Sequence, residues 1–283
     1  MDWDSPLFQR LIDFWVEEDL GSGDLTESII TENNGMAEWI AKEKGIFCGT
    51  EIIQRIFYKI DKNVEIKFFT QDGQEFSRNQ KILELKGSPK SLLAGERITL
   101  NIAMHLSGIS TFTKRIISKL RSTKINLVDT RKTTPGLRKL EKYAFKCGGG
   151  INHRMGLYDA AMIKENHIAW SGNLIDCVQQ IRKNTPFTTH IIIEAETINQ
   201  AKEAILAGAD SILLDEIEPL ILRDNIKSLK KIINKNNKEV LIEVSGIKVE
   251  EIDKYLIDGI DLISTSAPIT KSNWIDLSMR YIN

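Results

Sequence analysis

Cationic residues are concentrated in three short stretches near the middle of the chain. The stretch DTRKTTPG contains Arg131 and Lys132, CGGGINHRMG contains His153 and Arg154, and MIKENH contains Lys164. A guanidinium group can bind a carboxylate or a phosphate through two parallel hydrogen bonds, and lysine adds a compact positive charge. Because the formal net charge of the chain is only -1, these cations do not belong to a generally basic protein. The pattern predicts a local site for a substrate that carries several negative charges.

The overall composition excludes several classes of function. The 38 Lys and Arg residues are balanced by 39 Asp and Glu residues, so no overall field attracts nucleic acid or an acidic membrane. No apolar run approaches the ~18 residues of a membrane span, and the first residues do not resemble a targeting segment. The three cysteines are too widely spaced for a zinc site or a small disulfide framework. We therefore expect a cytoplasmic protein without nucleic-acid or membrane partners.

The elements that must position the cations follow a repeating pattern of strands and helices. Beyond residue 120, apolar runs end near residues 129, 164, 195, 215, 244 and 266. Spacings of about 20 to 35 residues suit a strand, a loop and a helix, and strands this apolar are typical of a buried parallel sheet. A complete β/α barrel needs about 200 residues or more. The shorter length available here predicts an incomplete parallel β/α barrel.

Polar residues stand at or just beyond the ends of these apolar runs. They include Lys164, Glu194, Asp215, Ser245 and Ser266. In a β/α barrel the carboxyl ends of the strands converge on one mouth, where active sites form, so we expect these residues to share a pocket. The two carboxylates could stabilise a developing cation or hold a divalent metal ion. The small residues of EVSGI and STSAP predict a phosphate-binding cup.

The first hundred residues have a different, mixed α/β pattern. From Ser91 to about Leu120 the pattern is helical, and we expect a break at Ser107-Gly108 and a domain boundary there. Earlier in the chain we expect helices at about 5–18 and 51–58, and strands at about 37–42, 65–69 and 81–85.

Long motifs connect nearly the whole chain to a known family. The stretch DTRKTTPGLRKLEKYAFKCGGGINHRMGLYDAAMIKENHI resembles the central signature of the quinolinate phosphoribosyltransferases, the carboxylating nicotinate-nucleotide pyrophosphorylases. EDLGSGDLT, AGERITLNIAMHLSGIST, IIIEAET, ILLDE, IEVSGI and DLISTSAPI are similar to the family as well. The resemblance implies an α/β protein with an N-terminal open α/β sandwich domain, 1–108 plus about 270–283, and an incomplete parallel β/α (TIM-like) barrel, 109–269.

The resemblance also implies a reaction. Members transfer the phosphoribosyl group of phosphoribosyl pyrophosphate to quinolinate, and decarboxylation then gives nicotinate mononucleotide, pyrophosphate and CO2 for NAD biosynthesis. Mg2+ is the implied cofactor, held mainly through substrate phosphates, with Glu194 and Asp215 as further candidate ligands. The implied assembly is a homodimer or larger, with active sites shared between subunits.

The same resemblance assigns roles to individual residues. Lys132, Glu194 and Asp215 are the implied catalytic residues, which face phosphoribosyl pyrophosphate and its Mg2+. The two carboxylates of quinolinate are assigned to Arg131, His153, Arg154 and Lys164, with Arg97 contributed by the neighbouring subunit. The ribose 5-phosphate is assigned to Ser245, Gly246, Ser264, Thr265 and Ser266.

Four positions differ from the pattern of the family. Ile192 stands where members often have a second acidic residue. The family motif LLDN reads LLDE in this chain, so that Glu216 replaces the asparagine. Ile247 replaces the last glycine of SGG, and Ser266 replaces a glycine near the last strand. These differences bear mainly on the expected phosphate cup.

Three other functions fit part of the pattern. A family associated with molybdenum transport genes shares the fold and a TSAP-like turn, but is less similar through NHRMGLYDAAMIKENH. Nicotinate phosphoribosyltransferase is a relative by fold, although the spacing from DTRKTTPG to NHR favours the decarboxylating enzyme. A non-catalytic anion-binding protein would gain nothing from carboxylates such as Glu194 and Asp215 in its site.

Overall fold

Two sheets of different type organise the chain. The structure, a computed structural model, describes residues 1–236 and 239–282. A four-stranded antiparallel sheet belongs to a first unit, formed by Met1–Lys114, Thr134–Gly149 and the chain from Pro268 onward. A six-stranded parallel sheet belongs to a second unit, formed by Arg115–Thr133 and Gly150–Ala267.

The first unit combines its antiparallel sheet with helices. Its strands are β1 (Gly35–Ala41), β2 (Gly45–Ile46), β3 (Glu65–Phe68), β4 (Glu75–Phe76), β5 (Lys81–Gly87) and β12 (Leu277–Ile282). Its helices are α1 (Pro6–Leu20), α2 (Thr50–Ile60), α4 (Arg138–Cys147) and most of α3 (Pro89–Leu120). The strand order is β12-β1-β5-β3, and β2 pairs with β4. Trp39, Phe57, Leu83 and Leu100 belong to its buried core, which joins the sheet to α2 and α3.

The second unit alternates strands with helices. Its strands are β6 (Asn126–Val128), β7 (Ala161–Ile163), β8 (Ile191–Ala195), β9 (Ser211–Asp215), β10 (Leu241–Ser245) and β11 (Leu262–Ser264). Its helices are α5 (Glu165–Ser171), α6 (Leu174–Asn184), α7 (Ile198–Ala207) and α8 (Pro219–Lys235), and α9 (Ala267–Thr270) follows β11. The six strands are the six apolar runs of the sequence. They pair in parallel in the order β6-β11-β10-β9-β8-β7.

The parallel sheet does not close into a full barrel. Among the described residues, the edge strands β6 and β7 do not pair with each other. Ile151 instead forms an isolated parallel bridge with Val128 of β6. The predicted incomplete β/α barrel is therefore confirmed, and so is the predicted α/β character of the other unit, whose sheet is antiparallel.

The register of the parallel strands arranges their side chains in layers. Glu194 of β8 pairs with Leu213 of β9, and Leu213 pairs with Glu243 of β10. Two residues further along, Asp215 pairs with Ser245. Side chains two residues apart in a strand point to the same face. Both layers therefore point to one side of the sheet, close to the carboxyl ends of the strands.

Local signals in the sequence explain where several helices begin and end. α1 starts with Pro6 in its first turn, although no cap hydrogen bond is described for the Ser5 hydroxyl. α7 begins with a reciprocal capping box between Thr197 and Gln200, and ends at Gly208, which adopts a left-handed conformation. The predicted elements of the first hundred residues are confirmed, with end points shifted by no more than two residues.

The predicted break at Ser107-Gly108 is wrong, because α3 continues without interruption from Pro89 to Leu120. A Cβ atom on Gly108 would lie 2.2 Å from the carbonyl oxygen of Asn273. The hydroxyl of the preceding Ser107 accepts a hydrogen bond from the amide of Cys48. The small residues therefore allow other segments of the first unit to approach the helix closely, and they do not end it.

The two units divide the chain differently from the predicted domains 1–108 plus 270–283 and 109–269. The division falls after Lys114, and residues 134–149, which include α4, join the first unit. Glu141 of α4 lies fully buried, 3.1 Å from His105 Nε2, and accepts a hydrogen bond from the amide of Thr134. Burial raises the pKa of Glu141, but the hydrogen bonds from His105 and Thr134 outweigh it and lower the pKa overall.

Tyr143 adds a second polar anchor for α4. Its hydroxyl donates to Asp72 Oδ2 at 2.7 Å, while Asp72 Oδ1 accepts hydrogen bonds from Gly49 and Thr50 at the start of α2. Cys48 and Cys147 are close to the same carboxylate.

All three cysteines of the chain are free thiols. No helix in the described parts of the chain has the length and apolarity to cross a membrane.

The close approach at Gly108 can be tested by stability. We expect Gly108→Ala to destabilise the protein by about 1–3 kcal/mol, because the added methyl group overlaps the chain at Asn273. Thermal unfolding followed by circular dichroism measures the effect, and Lys231→Ala at an exposed position of α8 is the control. An unchanged melting temperature for Gly108→Ala would contradict this role.

Candidate functional site

A cavity of about 290 Å³ is formed entirely by residues of the second unit. It lies at the carboxyl ends of the parallel strands, which is the edge predicted from the sequence. The strands contribute Met162, Glu194, Leu213, Asp215, Glu243, Ser245 and Ser264, and the segments that follow strands or lie between them contribute Asp129, Thr130, Arg131, Lys132, His153, Arg154 and Lys164.

The cavity brings together nine of the thirteen residues predicted for the site. They are Arg131, Lys132, His153, Arg154, Lys164, Glu194, Asp215, Ser245 and Ser264. Gly246, Thr265 and Ser266 follow strands that line the cavity but are not among its lining residues. Thr265 has local contacts instead, since its amide donates to Val128 and its hydroxyl accepts from the amide of Ala267.

Arg97 lies in the first unit, on α3. Its side chain is 62% exposed and is 4.0 Å from Glu96. With Trp15, Asp19 and Asn101 it lines a separate surface hollow. This exposure leaves the guanidinium accessible to another molecule, which is what a contribution to a neighbouring subunit's site requires.

Lys164 and Glu194 form the shortest ion pair of the cavity. Lys164 Nζ lies 2.5 Å from Glu194 Oε2, and the carboxylate side chain is only 13% exposed. Lys164 also caps α5, and its amide donates to Nδ1 of His167. His167 therefore helps to orient the backbone that carries the lysine. The ion pair keeps the positive and negative groups of the cavity in contact before any substrate arrives.

A buried aspartate anchors the loop that carries His153 and Arg154. Asp129 is fully buried, and its Oδ1 accepts a hydrogen bond from the amide of His153 at 2.8 Å. The amide of Arg154 donates to His153 Nδ1 at 2.7 Å, and the Arg154 guanidinium donates to the carbonyl of Ala160. The loop is thus fixed through its backbone as well as through its side chains.

The Arg154 guanidinium is held in a place that disfavours positive charge. Burial lowers the pKa of Arg154, and the nearby Arg131 lowers it further, while Asp159 partly opposes them. Arginine nevertheless remains charged in proteins. Two neighbouring cations in a partly desolvated cavity therefore favour the binding of an anion, which would reduce their repulsion.

Glu243 is one of five lining residues for which the sequence predicted no role, the others being Asp129, Thr130, Met162 and Leu213. The side chain of Glu243 is 2% exposed, and its Oε2 lies 3.3 Å from His153 Nε2. Its Oε1 is buried and accepts no hydrogen bond from any described residue. The signal that could have identified it is the alternation of strand residues, because Glu243 lies two positions before Ser245 and shares its face. Met162, which also lines the cavity, likewise lies two positions before a predicted site residue, Lys164.

The turns after β9 and β10 pack closely on each other. Glu216 and Gly246 both have positive φ angles, 54° and 76°. A Cβ atom on Gly246 would lie 2.5 Å from Cγ of Glu216, and the Glu216 amide donates to the carbonyl of Ser245. Gly246 is therefore needed for this approach and for its backbone conformation. Glu216 adopts a conformation that asparagine tolerates much better than glutamate.

Two family models match almost the whole chain. The model described as quinolinate phosphoribosyl transferase, N-terminal domain, matches residues 24–107, and the model of the C-terminal domain matches residues 109–280. The latter range contains all residues that line the cavity.

Several known proteins are similar over nearly their full length. A probable nicotinate-nucleotide pyrophosphorylase (carboxylating) from Bacillus subtilis is 40% identical over 273 residues, which cover 96% of this chain and 92% of that protein. A protein of the same name from Synechocystis sp. is 39% identical over 270 residues, or 95% and 90% of the two chains. The solved structure of the nicotinate-nucleotide pyrophosphorylase from Francisella tularensis has a TM-score of 0.90 at 34% identity, and the match covers 98% of this chain and 96% of that one.

The positive φ angle of Glu216 leads to a stability prediction. We expect Glu216→Asn to stabilise the protein by about 0.5–1 kcal/mol, because asparagine relieves part of the backbone strain. Glu216→Gln is the matched control, since it removes the same charge but keeps a side chain ill suited to this conformation. Chemical denaturation measures both variants. Equal stability of the two variants would show that strain at this turn is not the cause.

Proposed function

Because this chain belongs to the quinolinate phosphoribosyl transferase family, we propose that it transfers the phosphoribosyl group of phosphoribosyl pyrophosphate to quinolinate, with loss of CO2. The products are nicotinate mononucleotide, pyrophosphate and CO2, and the reaction supplies NAD biosynthesis. The observation that carries the proposal is the cavity itself, in which Arg131 and Arg154 converge with the carboxylates Glu194 and Asp215. The arginines suit a dicarboxylate, and the carboxylates suit a sugar that becomes cationic during the reaction.

The cationic side of the cavity binds quinolinate in this proposal. Arg131, Arg154 and Lys164 provide several donors for its two carboxylates, and the arginines can bind in the bidentate geometry that fixes orientation. Binding also offsets the repulsion from Arg131, which adds to the effect of burial in lowering the pKa of Arg154. A pyridine with one carboxylate would leave part of this positive charge unneutralised. The selectivity for the diacid follows from that difference.

The opposite side holds the phosphoribosyl donor. Asp215 and Ser245 are paired across β9 and β10, and Ser264 lies on the neighbouring strand β11. In this proposal Ser245 and the glycine turn that follows it bind the ribose 5-phosphate, and Lys132, which also lines the cavity, binds the pyrophosphate. Ile247 and Ser266 change the side chains around this phosphate cup, whose donors in this proposal are backbone amides.

Mg2+ is the cofactor in this proposal. It prefers carboxylate and phosphate oxygens, and both Glu194 and Asp215 line the cavity. Among the described residues, the only group of three His, Cys, Asp or Glu side chains close enough to hold a metal ion is in the first unit. In this proposal Asp215 and Glu194 would be the protein ligands of an ion that substrate phosphates hold as well. When bound, Mg2+ neutralises charge on the departing pyrophosphate.

The residues of the cavity support a reaction in two stages. The bond between C1 of the ribose and the pyrophosphate breaks through a cation-like transition state, which Glu194 and Asp215 stabilise from close by. The pyridine nitrogen attacks C1 and becomes positively charged. The bond to the adjacent carboxylate then breaks, its electrons pass into the charged ring, and a proton takes the place of the lost CO2. Arg131 and Arg154 hold the ring in the orientation that both stages need.

Turnover by the purified protein tests the proposal. We expect quinolinate to be consumed only when phosphoribosyl pyrophosphate and Mg2+ are both present, with release of one CO2 for each nicotinate mononucleotide formed. Nicotinate, offered in parallel, should not react, because it lacks the 2-carboxylate. Equal turnover of nicotinate would favour nicotinate phosphoribosyltransferase. A folded protein that consumes neither pyridine would favour the molybdenum-linked relative or a non-catalytic anion-binding protein.

A pair of arginine variants connects the turnover to the cavity. Arg154→Ala should raise the KM for quinolinate by about 10- to 100-fold, because it removes a charge-assisted hydrogen-bond donor. Arg182→Ala is the matched control, since Arg182 pairs with Asp210 and does not line the cavity. It should change the KM by less than about 2-fold.

The protein acts as a homodimer in this proposal, with Arg97 of one subunit completing the site of the other. The exposure of Arg97 on α3 supports this arrangement. The free thiols of Cys48, Cys147 and Cys177 support a reducing, cytoplasmic setting.

Mixed dimers test the shared site. Arg97→Ala and Arg131→Ala should each abolish most activity alone. A hybrid dimer regains one intact site, so an equal mixture after subunit exchange should reach about a quarter of the wild-type activity. Exchange is verified independently with two affinity tags. Verified exchange without recovery would place Arg97 outside the partner's site.

A further inference from the structure

Glu243 occupies a position in the cavity that the proposed chemistry has not used. It lies in the same layer of the parallel sheet as Glu194, with Leu213 between them. The two carboxylates have different partners, because Glu194 pairs with Lys164 and Glu243 lies against His153. A carboxylate that is 98% removed from solvent is costly unless a neighbouring group stabilises it.

The hydrogen bonds of His153 define which of its ring nitrogens carries the proton. The amide of Arg154 is necessarily a donor, and it lies 2.7 Å from His153 Nδ1. Nδ1 must therefore accept with its lone pair, so the proton of the neutral ring is on Nε2. Nε2 is the nitrogen that faces Glu243, at 3.3 Å from Oε2. Of the two carboxylate oxygens of Glu243, Oε2 is the one that lies against Nε2, and this close contact favours the tautomer.

We propose that Glu243 is a positioning residue, which holds His153 in the Nε2-protonated tautomer and thereby fixes the loop that presents Arg154 to the substrate. The consequence for Arg154 follows step by step. The tautomer leaves Nδ1 able to accept the Arg154 amide, and Asp129 holds the amide of His153 from the other side. If Nδ1 carried the proton, two donors would face each other and the turn would change.

This inference gives His153 a role as a support of the loop, beside the contact with quinolinate that the family resemblance implies. It rests on the proposed function for its kinetic consequence, since Arg154 is expected to bind quinolinate. Its structural content is independent of the reaction. The tautomer of His153 can be observed whether or not the protein turns over any substrate.

The first measurement is the tautomer itself. Long-range 15N–1H correlation spectra of the ring nitrogens distinguish the two neutral forms, and the chain has only 4 histidines. His153→Asn identifies the signals of His153 by their loss. In the wild-type protein, near neutral pH, we expect a protonated Nε2 and an unprotonated Nδ1. A dominant Nδ1-protonated form would overturn the inference.

Two substitutions of Glu243 separate the contribution of its oxygen atoms from that of its charge. Glu243→Gln keeps an oxygen acceptor, so the His153 signals and the KM for quinolinate should stay within about 3-fold of the wild type. Glu243→Ala removes the acceptor, so the tautomers should mix and the KM for quinolinate should rise about 10-fold. The KM for phosphoribosyl pyrophosphate should change less than about 3-fold. Equal effects on both KM values would indicate a general structural role and would overturn the inference.

Control measurements separate this inference from the proposed function. Glu203→Ala, at an exposed position of α7 in the same unit, should leave the His153 signals and the kinetics unchanged. If Glu243→Ala does not fold, the wild-type tautomer and Glu243→Gln still decide the matter. A protein with the expected tautomer but no turnover of quinolinate would refute the proposed function and leave the positioning role of Glu243 intact.

Discussion

The register of the parallel strands is the constraint on which the site depends. Each backbone hydrogen bond between neighbouring strands fixes which residues lie side by side, and a shift by one residue would turn every inward side chain outward. The pairing of Glu194, Leu213 and Glu243 places two carboxylates in one layer. The next layer holds Asp215 and Ser245. Apolar strands that are buried on both faces hold this register, so the polar residues at their ends inherit their positions.

The charges of the cavity are balanced locally and not through the whole protein. Lys164 meets Glu194 in a short ion pair, whereas Arg131 and Arg154 repel each other in a partly desolvated space. An anionic substrate therefore gains more from the arginines than from the lysine, whose charge is already neutralised. In the proposed function, this division would let one small cavity hold both a diacid and a sugar that passes through a cationic state.

Much of the second unit could be predicted because its signals are local. Apolar runs bounded by polar residues marked all six parallel strands, and the residues at their ends marked the cavity. The remaining features depend on contacts between distant segments. The burial of α4 in the first unit needs Glu141 to meet His105 and Tyr143 to meet Asp72, and no local pattern indicates such pairs.

Glycine was the least informative residue for prediction. A glycine in a helix can mark its end or allow a close contact, and only the structure shows that Gly108 faces Asn273. The alternation of side chains along a strand could have predicted that Glu243 lies in this layer. It could not have predicted the contact between Glu243 and His153, because His153 lies in a loop whose path depends on the buried Asp129. The motif that carries the family resemblance supplied the residues of the site but not the contacts that orient them.

The pairing of β12 with β1 affects how the protein is made. β1 has β5 on one side and β12 on the other, and Ile275 and Leu277 belong to the core beneath them. A chain emerging from the ribosome completes the residues of the parallel sheet before residues 277–282 appear. Until then β1 presents an open edge, the kind of surface that invites pairing with other chains. The strands of the antiparallel sheet are therefore the first to be synthesised, but this sheet is the last to be completed. Interrupted synthesis would leave aggregation-prone fragments.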